Sequence, residues 1–371
     1  MIINKNGTTE NSVQISAWQL MALILLGRIV VAVTYTGGAA GVAHGTDRMA
    51  AILLEAAVIL LLFLPTAIFA RQGKGLGTLD YAYVQFGRIG GAAVAVLYAV
   101  YCLYIQILDL VQFENFASNS LSPQLPRVIL SIALVSAAFI AAFYGLEAVA
   151  RTAAIVVFFM VIAVVFLGLS LIPDMESINF PPLFYDGLGP VWKSVLENLP
   201  RFLELGVIGL LVPHVSKGGV GRGFSFGVLV SAAVVLLMQC TVVGVLGDYS
   251  EMVNFPYYTT VTLARSSILQ RMDIIVTAVW VAGIFVKMAL FSVLYLGCLR
   301  RAFGEKGKVV YVLAGGALVL TVGLMLGGRL IAAEHRMLWL FSTLLLLLLT
   351  VALPIVLLMA NAIRERRAKG L

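Results

Sequence analysis

Charge is what this chain has least of. Only 12% of its 371 residues are Asp, Glu, Lys or Arg, while 61% are hydrophobic and the mean hydropathy is +1.03. Soluble domains carry about 25% charged residues, so a water-soluble globule is excluded and the length is read as membrane spans. Cysteine is scarce too: Cys102, Cys240 and Cys298 stand singly in apolar runs, without disulfide or metal spacing. His44, His214 and His335 fall far apart at loops or span ends, which leaves a zinc site or a Ser-His-Asp triad unsupported. The glycine-rich stretch 73–77 lacks the Lys-Ser/Thr of a phosphate loop and reads as a turn. No catalytic residue, metal or cofactor is expected. The net charge of +7 comes from short loops and the C-terminus, not from a basic stripe with aromatics, so nucleic acid is not an expected partner. Residues 1–16 are polar and lack a cleavable signal pattern, so the first span is expected to stay in the mature protein.

What is present is apolar runs of about 20 residues, each matched to a hydrocarbon layer roughly 30 Å thick. Ten can be marked: 15–40, 48–70, 90–113, 126–143, 148–172, 190–215, 224–247, 273–299, 309–326 and 337–360. A polar segment, 173–188, separates the fifth from the sixth, and a loop at 248–270 has room for a short helix. The expected fold is an all-α polytopic membrane protein of ten transmembrane helices. It has a cytoplasmic segment 1–14, one membrane domain 15–360 and a basic tail 361–371. With the N-terminus cytoplasmic, fifteen of the 25 Lys and Arg lie inside and eight outside, with Arg28 and Lys287 left within spans. The positive-inside rule therefore puts both termini in the cytoplasm.

Ten spans divide as five plus five, about 15–172 and 190–360. A five-span unit re-enters the membrane upside down on repetition, which is the inverted-repeat plan of many secondary transporters. In each half the leading span carries interruptions. The first holds Gly27, Arg28, Thr34, Thr36, Gly37, Gly38 and Gly41. The sixth holds Pro200, Glu204, Gly206, Gly209 and Pro213. Proline removes a backbone donor and glycine tolerates unwinding. Unwound backbone at membrane depth survives only where protein or water satisfies it. The sixth span is thus expected to be a broken helix around a buried polar site.

Five ionisable groups lie inside spans: Arg28, Glu55, Asp109, Glu204 and Lys287, with a formal sum of −1. Burying one unpaired charge costs at least about 2.5–3.5 kcal/mol, so each is either paired or functional. A guanidinium at Arg28 suits a ligand carboxylate, or a counter-ion role toward Glu204 or Asp109. Glu204 reads as a proton-sensitive gate or ligand-amine acceptor, or as a structural partner. Asp109 follows Tyr98, Tyr101, Tyr104 and Gln106 in a polar stripe that lines a site or packs helices. Glu55 reads as a solvated or structural carboxylate near a span end. Lys287 can replace a bound sodium ion, or exchange a proton if burial lowers its pKa. Ser292 and Thr277 read as helix–helix hydrogen bonders. The candidate ligand-binding set is Gly27, Arg28, Tyr101, Glu204, Leu205 and Gly206, with Lys287 and Asp109 as coupling or ion-surrogate groups.

Several stretches resemble one family. They are Ser16-Ala-Trp-Gln-Leu20, Gly87-Arg-Ile-Gly90, Tyr144-Gly-Leu-Glu-Ala-Val-Ala-Arg151, Asn254-Phe-Pro-Tyr-Tyr258, Leu269-Gln-Arg-Met-Asp-Ile-Ile275, Trp280 and Phe285-Val-Lys287. In this order and spacing, over about residues 15–360, the chain resembles the B subunits of spore nutrient-germinant receptors (GerAB-like proteins). It departs from the family's usual pattern at Gly37-Gly38 and Asp47-Arg-Met49, and in carrying Arg28 among small residues. The resemblance implies membership of the amino acid–polyamine–organocation superfamily and a LeuT-like fold. It also implies a small ligand, commonly an amino acid, between the first and sixth spans and flanked by the third and eighth. By the same resemblance the partners are an A-type and a lipoprotein C-type subunit in the spore inner membrane, and nutrient sensing triggers germination. The alternative on the same cavity is a proton-coupled amino-acid permease.

Overall fold

The computed structural model describes residues 15–34, 43–72, 76–118, 126–185, 187–216, 218–263, 272–327 and 335–368. Among them there is no β-strand, and helices follow one another almost without pause. They are α1 Ala17–Val33, α2 Gly45–Leu62, α3 Leu64–Gln72, α4 Thr78–Phe116, α5 Arg127–Ala141, α6 Gly145–Ser170 and α7 Leu188–Asn198. After a 3-10 run at Leu199–Val207 come α8 Ile208–Leu211, α9 Gly219–Leu246, α10 Pro256–Leu263 and α11 Met272–Phe303. The chain closes with α12 Lys308–Leu326, α13 His335–Leu347, a π turn Leu348–Ala352 and α14 Leu353–Ala368. Seven of the described helices are long and apolar enough to cross a membrane, and two shorter apolar ones are Ala17–Val33 and Arg127–Ala141. Segments 1–14 and 35–42, with Thr36, Gly37, Gly38 and Gly41, lie outside the described residues.

Local chemistry explains the ends that matter. Ser16 starts α1 with a capping box: its hydroxyl accepts from the Gln19 amide at 3.2 Å, and its own amide donates to Gln19 Oε1 at 2.8 Å. In α4 the helix breaks at Gly87 (φ 69°, ψ −167°), a conformation open to glycine and not to side-chain-bearing residues. The third span expected at 90–113 is therefore preceded by a separate short helix from Thr78. That short helix is pinned at one end of the bundle, where Asp80 pairs with Arg301 at 3.0 Å and Tyr83 Oη donates to the Arg301 carbonyl. The helix expected in the 248–270 loop is α10.

The helix α11 is the hub, packing against α4, α5 and α6, while α1 lies against α9, α6, α11 and the 3-10 run. A bridge joins the start of α1 to the end of the sixth pass: the Ile15 amide donates to the His214 carbonyl at 2.6 Å, and the Ser216 amide to the Ile15 carbonyl at 3.1 Å. Both chain points therefore sit at one face, and the chain between them crosses the bundle an even number of times. At the opposite end, Ala43 and Thr46 hydrogen-bond to Ser194 and Pro181, and Trp339 Nε1 donates to the Leu196 carbonyl.

Candidate functional site

The sixth pass is broken, as its composition demands. Its α-helix stops at Asn198, and the next nine residues run as a 3-10 helix, with Phe202 (φ −106°, ψ 24°) outside helical geometry. Runs of 3-10 helix beyond three or four residues are uncommon, and one within a helix often marks a hinge. Pro200 opens this run, and Pro213 sits in a second 3-10 turn after α8. The freed backbone finds a partner in α4: Tyr101 Oη donates to the Leu203 carbonyl at 2.5 Å. Gly206 makes that approach possible, since a Cβ there would lie 2.4 Å from Tyr101 Oη.

At Gly27 and Arg28 the first pass differs from expectation; the rest of its expected interruption, 35–42, lies outside the described residues. Its helix runs unbroken from Ala17 to Val33, straight through Gly27 and Arg28, so their amides are not released by any interruption. The glycine at position 27 serves close approach instead. A Cβ there would stand 3.1 Å from both Cγ and Oε1 of Glu204, so α1 lies directly against that carboxylate.

At this crossing three charges meet. Lys287 Nζ of α11 is 2.8 Å from Asp109 Oδ1 of α4 and 2.9 Å from Glu204 Oε1 of the 3-10 run. All three residues are buried, at 5%, 3% and 8% exposure. The two contacts are of near-equal length, so the ammonium is shared between them; the second oxygen of each carboxylate, Asp109 Oδ2 and Glu204 Oε2, has no hydrogen-bond donor among the described residues. One buried cation thus faces two buried carboxylates, a formal surplus of one negative charge.

Arg28 forms a second, adjoining centre. Its guanidinium lies 3.5 Å from the centroid of the Phe202 ring, donates to the Arg201 carbonyl at 3.2 Å, and approaches Glu55 Oε2 at 3.9 Å. Glu55 accepts from Asn198 Nδ2 at 2.5 Å, so this carboxylate is structurally engaged at the end of α7. Arg28 is consequently seated on the break itself.

The fold brings Gly27, Tyr101, Asp109, Glu204, Gly206 and Lys287 together, with Arg28 one residue along α1. Leu205 turns elsewhere, into a crevice with Ile59, Leu62, Phe63, Leu346 and Thr350. Ser292 donates to Gln106 Oε1 at 2.8 Å, a helix–helix bond as expected. The sequence reading gave no role to the aromatic layer one to two turns along α4 from Asp109. There Phe116 lies against Trp280, Phe255 and Tyr258, and Trp280 Nε1 donates to the Val30 carbonyl of α1 at 3.0 Å. The Asn254-Phe-Pro-Tyr-Tyr258 cluster was its visible signal. Phe202 and Asn198 carried none beyond their position beside Pro200.

Comparisons with known proteins agree with this architecture. The chain is 29% identical over 212 residues to YfkT of Bacillus subtilis (strain 168), a protein assigned to spore germination; the match covers 56% of this chain and 58% of that one. It is 20% identical over 284 residues to spore germination protein A2 of the same organism, covering 74% of this chain and 76% of the relative. In three dimensions it is similar to a Na+-coupled sialic acid symporter in a substrate-bound, outward-open state, with a TM-score of 0.59 and 11% identity. That likeness covers 96% of this chain and 81% of the symporter, and it shows a shared LeuT-type transporter fold. The profile of the spore permease family, described as spore germination protein, matches residues 14–326, and this multi-pass membrane protein belongs to that family.

Proposed function

We propose that this chain is the membrane subunit of a spore germinant receptor, binding a small nutrient, an amino acid, and triggering germination. The observation that carries the reading is the broken 3-10 run, which holds a buried carboxylate, Glu204, three residues from the point where Arg28 is seated. In this reading a zwitterion bridges them, its ammonium toward Glu204 and its carboxylate toward Arg28, with Tyr101 holding the backbone in between. The carboxylate goes to a side chain, because α1 offers no free amides at Gly27. Arg28 can turn from Glu55, whose contact is long at 3.9 Å and which Asn198 already supports.

In this reading the chain makes ten crossings arranged as a five-plus-five inverted repeat, with both termini cytoplasmic in the spore inner membrane. An A-type and a lipoprotein C-type subunit are its partners. Binding shifts the conformation of the break only if the ligand prefers one state, since equal affinity for both shifts nothing.

The second reading, a proton-coupled amino-acid permease, is favoured by the transporter fold and by the spare negative charge at the Asp109–Lys287–Glu204 centre. Liposomes containing the purified chain separate the two. Binding of a labelled amino acid without internal accumulation supports the receptor; saturable uptake driven by an imposed proton gradient supports the permease. Failure of a full amino-acid panel to bind, in well-folded protein, overturns both.

A further inference from the structure

We infer that Lys287 is a tethered plug: its ammonium group occupies the place that a ligand's primary ammonium takes at Glu204. The inference rests on the amino-acid reading above and deepens it by saying how the empty site is kept closed. Three features of the geometry point to it. First, a lysine side chain ends in the same three-donor RNH3+ group that an amino acid or alkylamine presents. Second, that group is shared between two carboxylates, 2.8 Å from Asp109 and 2.9 Å from Glu204, so neither has a cation to itself. Third, Glu204 is buried yet its Oε2 has no donor among the described residues, and it faces the α1 backbone at Gly27. A buried carboxylate in that condition is an acceptor waiting for a donor.

Exchange at this site conserves pairing. When a ligand ammonium takes Glu204, Lys287 withdraws onto Asp109, and each carboxylate then has its own cation. Before exchange one cation serves two carboxylates. The lysine therefore competes with the ligand, and its occupancy lowers apparent affinity by the fraction of time the site is blocked.

The test uses the full chain in phospholipid nanodiscs, in amine-free phosphate buffer at pH 7. Lys287→Ala opens a gap of alkylammonium size beside Glu204. n-Propylammonium is expected to raise the thermal midpoint of the K287A variant saturably. It should leave the wild type unchanged and have no effect on the K287A/E204Q double variant, while tetramethylammonium, which has no N–H, does nothing in any of them. The proposal is overturned if n-propylammonium leaves K287A unaffected, or if K287A/E204Q responds as K287A does. If K287A does not fold, the K287A/D109N variant opens the same gap, keeps the wild-type local charge and retains Glu204 alone, and absence of calorimetric propylammonium binding to it overturns the proposal equally. An amino acid that binds the wild type should bind K287A at least tenfold more tightly. Equal affinities sink the plug and leave the amino-acid site standing; amine rescue with no amino acid bound by either protein sinks the amino-acid site and leaves the ammonium position at Glu204.

Discussion

The charge arrangement around Lys287 makes a prediction about stability whose order is set by simple pairing. Wild type buries one cation between two carboxylates, for a formal local charge of −1. Lys287→Ala leaves two buried carboxylates with no cation between them. Removing one partner of a buried ion pair costs about 3–5 kcal/mol. Glu204→Gln instead leaves a neutral Lys287–Asp109 pair at 2.8 Å and removes the surplus charge, so its cost is expected to stay within about 1 kcal/mol. The gap between the two variants is at least about 2 kcal/mol, more than tenfold in an equilibrium constant. The triple replacement K287M/D109N/E204Q, which buries no charge, should return to within about 2 kcal/mol of wild type, because neutral substitution of a whole buried cluster is often well tolerated. The assay is the thermal midpoint of tryptophan fluorescence in nanodiscs, in amine-free buffer so that no buffer cation fills the gap. If E204Q proves as destabilising as K287A, or K287A matches wild type, the three groups do not form one charge-coupled unit and the pairing argument fails.

Other consequences can be checked one residue at a time. Gly27→Ala places a methyl 3.1 Å from Glu204 Cγ and Oε1, so the carboxylate must move by a few tenths of an ångström; the expected result is a shifted ligand dose-response, with a stability loss of at most about 1–3 kcal/mol. Tyr101→Phe strips the donor from the buried Leu203 carbonyl, at a cost of about 1–3 kcal/mol. Hydrogen exchange should accelerate at residues 203–207 and remain unchanged within α1. Arg28→Lys keeps the charge but loses the planar seat on Phe202 and the fork that reaches a carboxylate; ligand affinity should fall about tenfold or more in equilibrium binding, and an unaltered affinity would remove Arg28 from the site.

Much of this was legible in residue order because a bilayer imposes simple rules. Apolar length marks the spans, and Pro200, Glu204, Gly206 and Pro213 mark a helix that cannot stay regular, which is where the 3-10 run lies. Buried charge must pair, and Asp109, Glu204 and Lys287 meet; Arg28, however, finds Glu55 and not the Glu204 or Asp109 expected for it, because Glu55 is buried at the end of α7 and not solvated. The first helix was misjudged at Gly27 because glycine has two uses in a membrane. It permits unwinding and it permits contact, and only the neighbour tells which; here the neighbour is Glu204. Gly87, in the Gly87-Arg-Ile-Gly90 stretch, has yet another use: its positive φ lets the chain kink between two helices. Leu205 points away from Glu204 because neighbouring residues of any helix lie about 100–120° apart, so two consecutive side chains do not share one side.

The distribution of the charged groups over the fold carries a mechanical consequence. Asp109 and Lys287 belong to α4 and α11, long helices packed along one another at the hub, whereas Glu204 belongs to the irregular run. The Lys287–Glu204 contact is therefore a charged tie between the packed helices and the irregular run, beside the one that Arg28 of α1 makes to the Arg201 carbonyl. Releasing the Lys287–Glu204 contact does not free the sixth pass everywhere. The far end remains clamped by the Ile15–His214 and Ile15–Ser216 bonds, so displacement is concentrated between Asn198 and Val207. That stretch packs against α13 and the π turn, and Trp339 of α13 holds the Leu196 carbonyl at the adjoining end of α7. The π turn is itself held by Thr66, which donates to the Thr350 carbonyl at 2.8 Å. Under the receptor reading, a ligand that separates Glu204 from Lys287 acts first on α13, the helix packed against the break, and α13 passes that displacement on to α4 through the Tyr104–Ser342 hydrogen bond at 2.6 Å and the Tyr104–Phe341 ring contact.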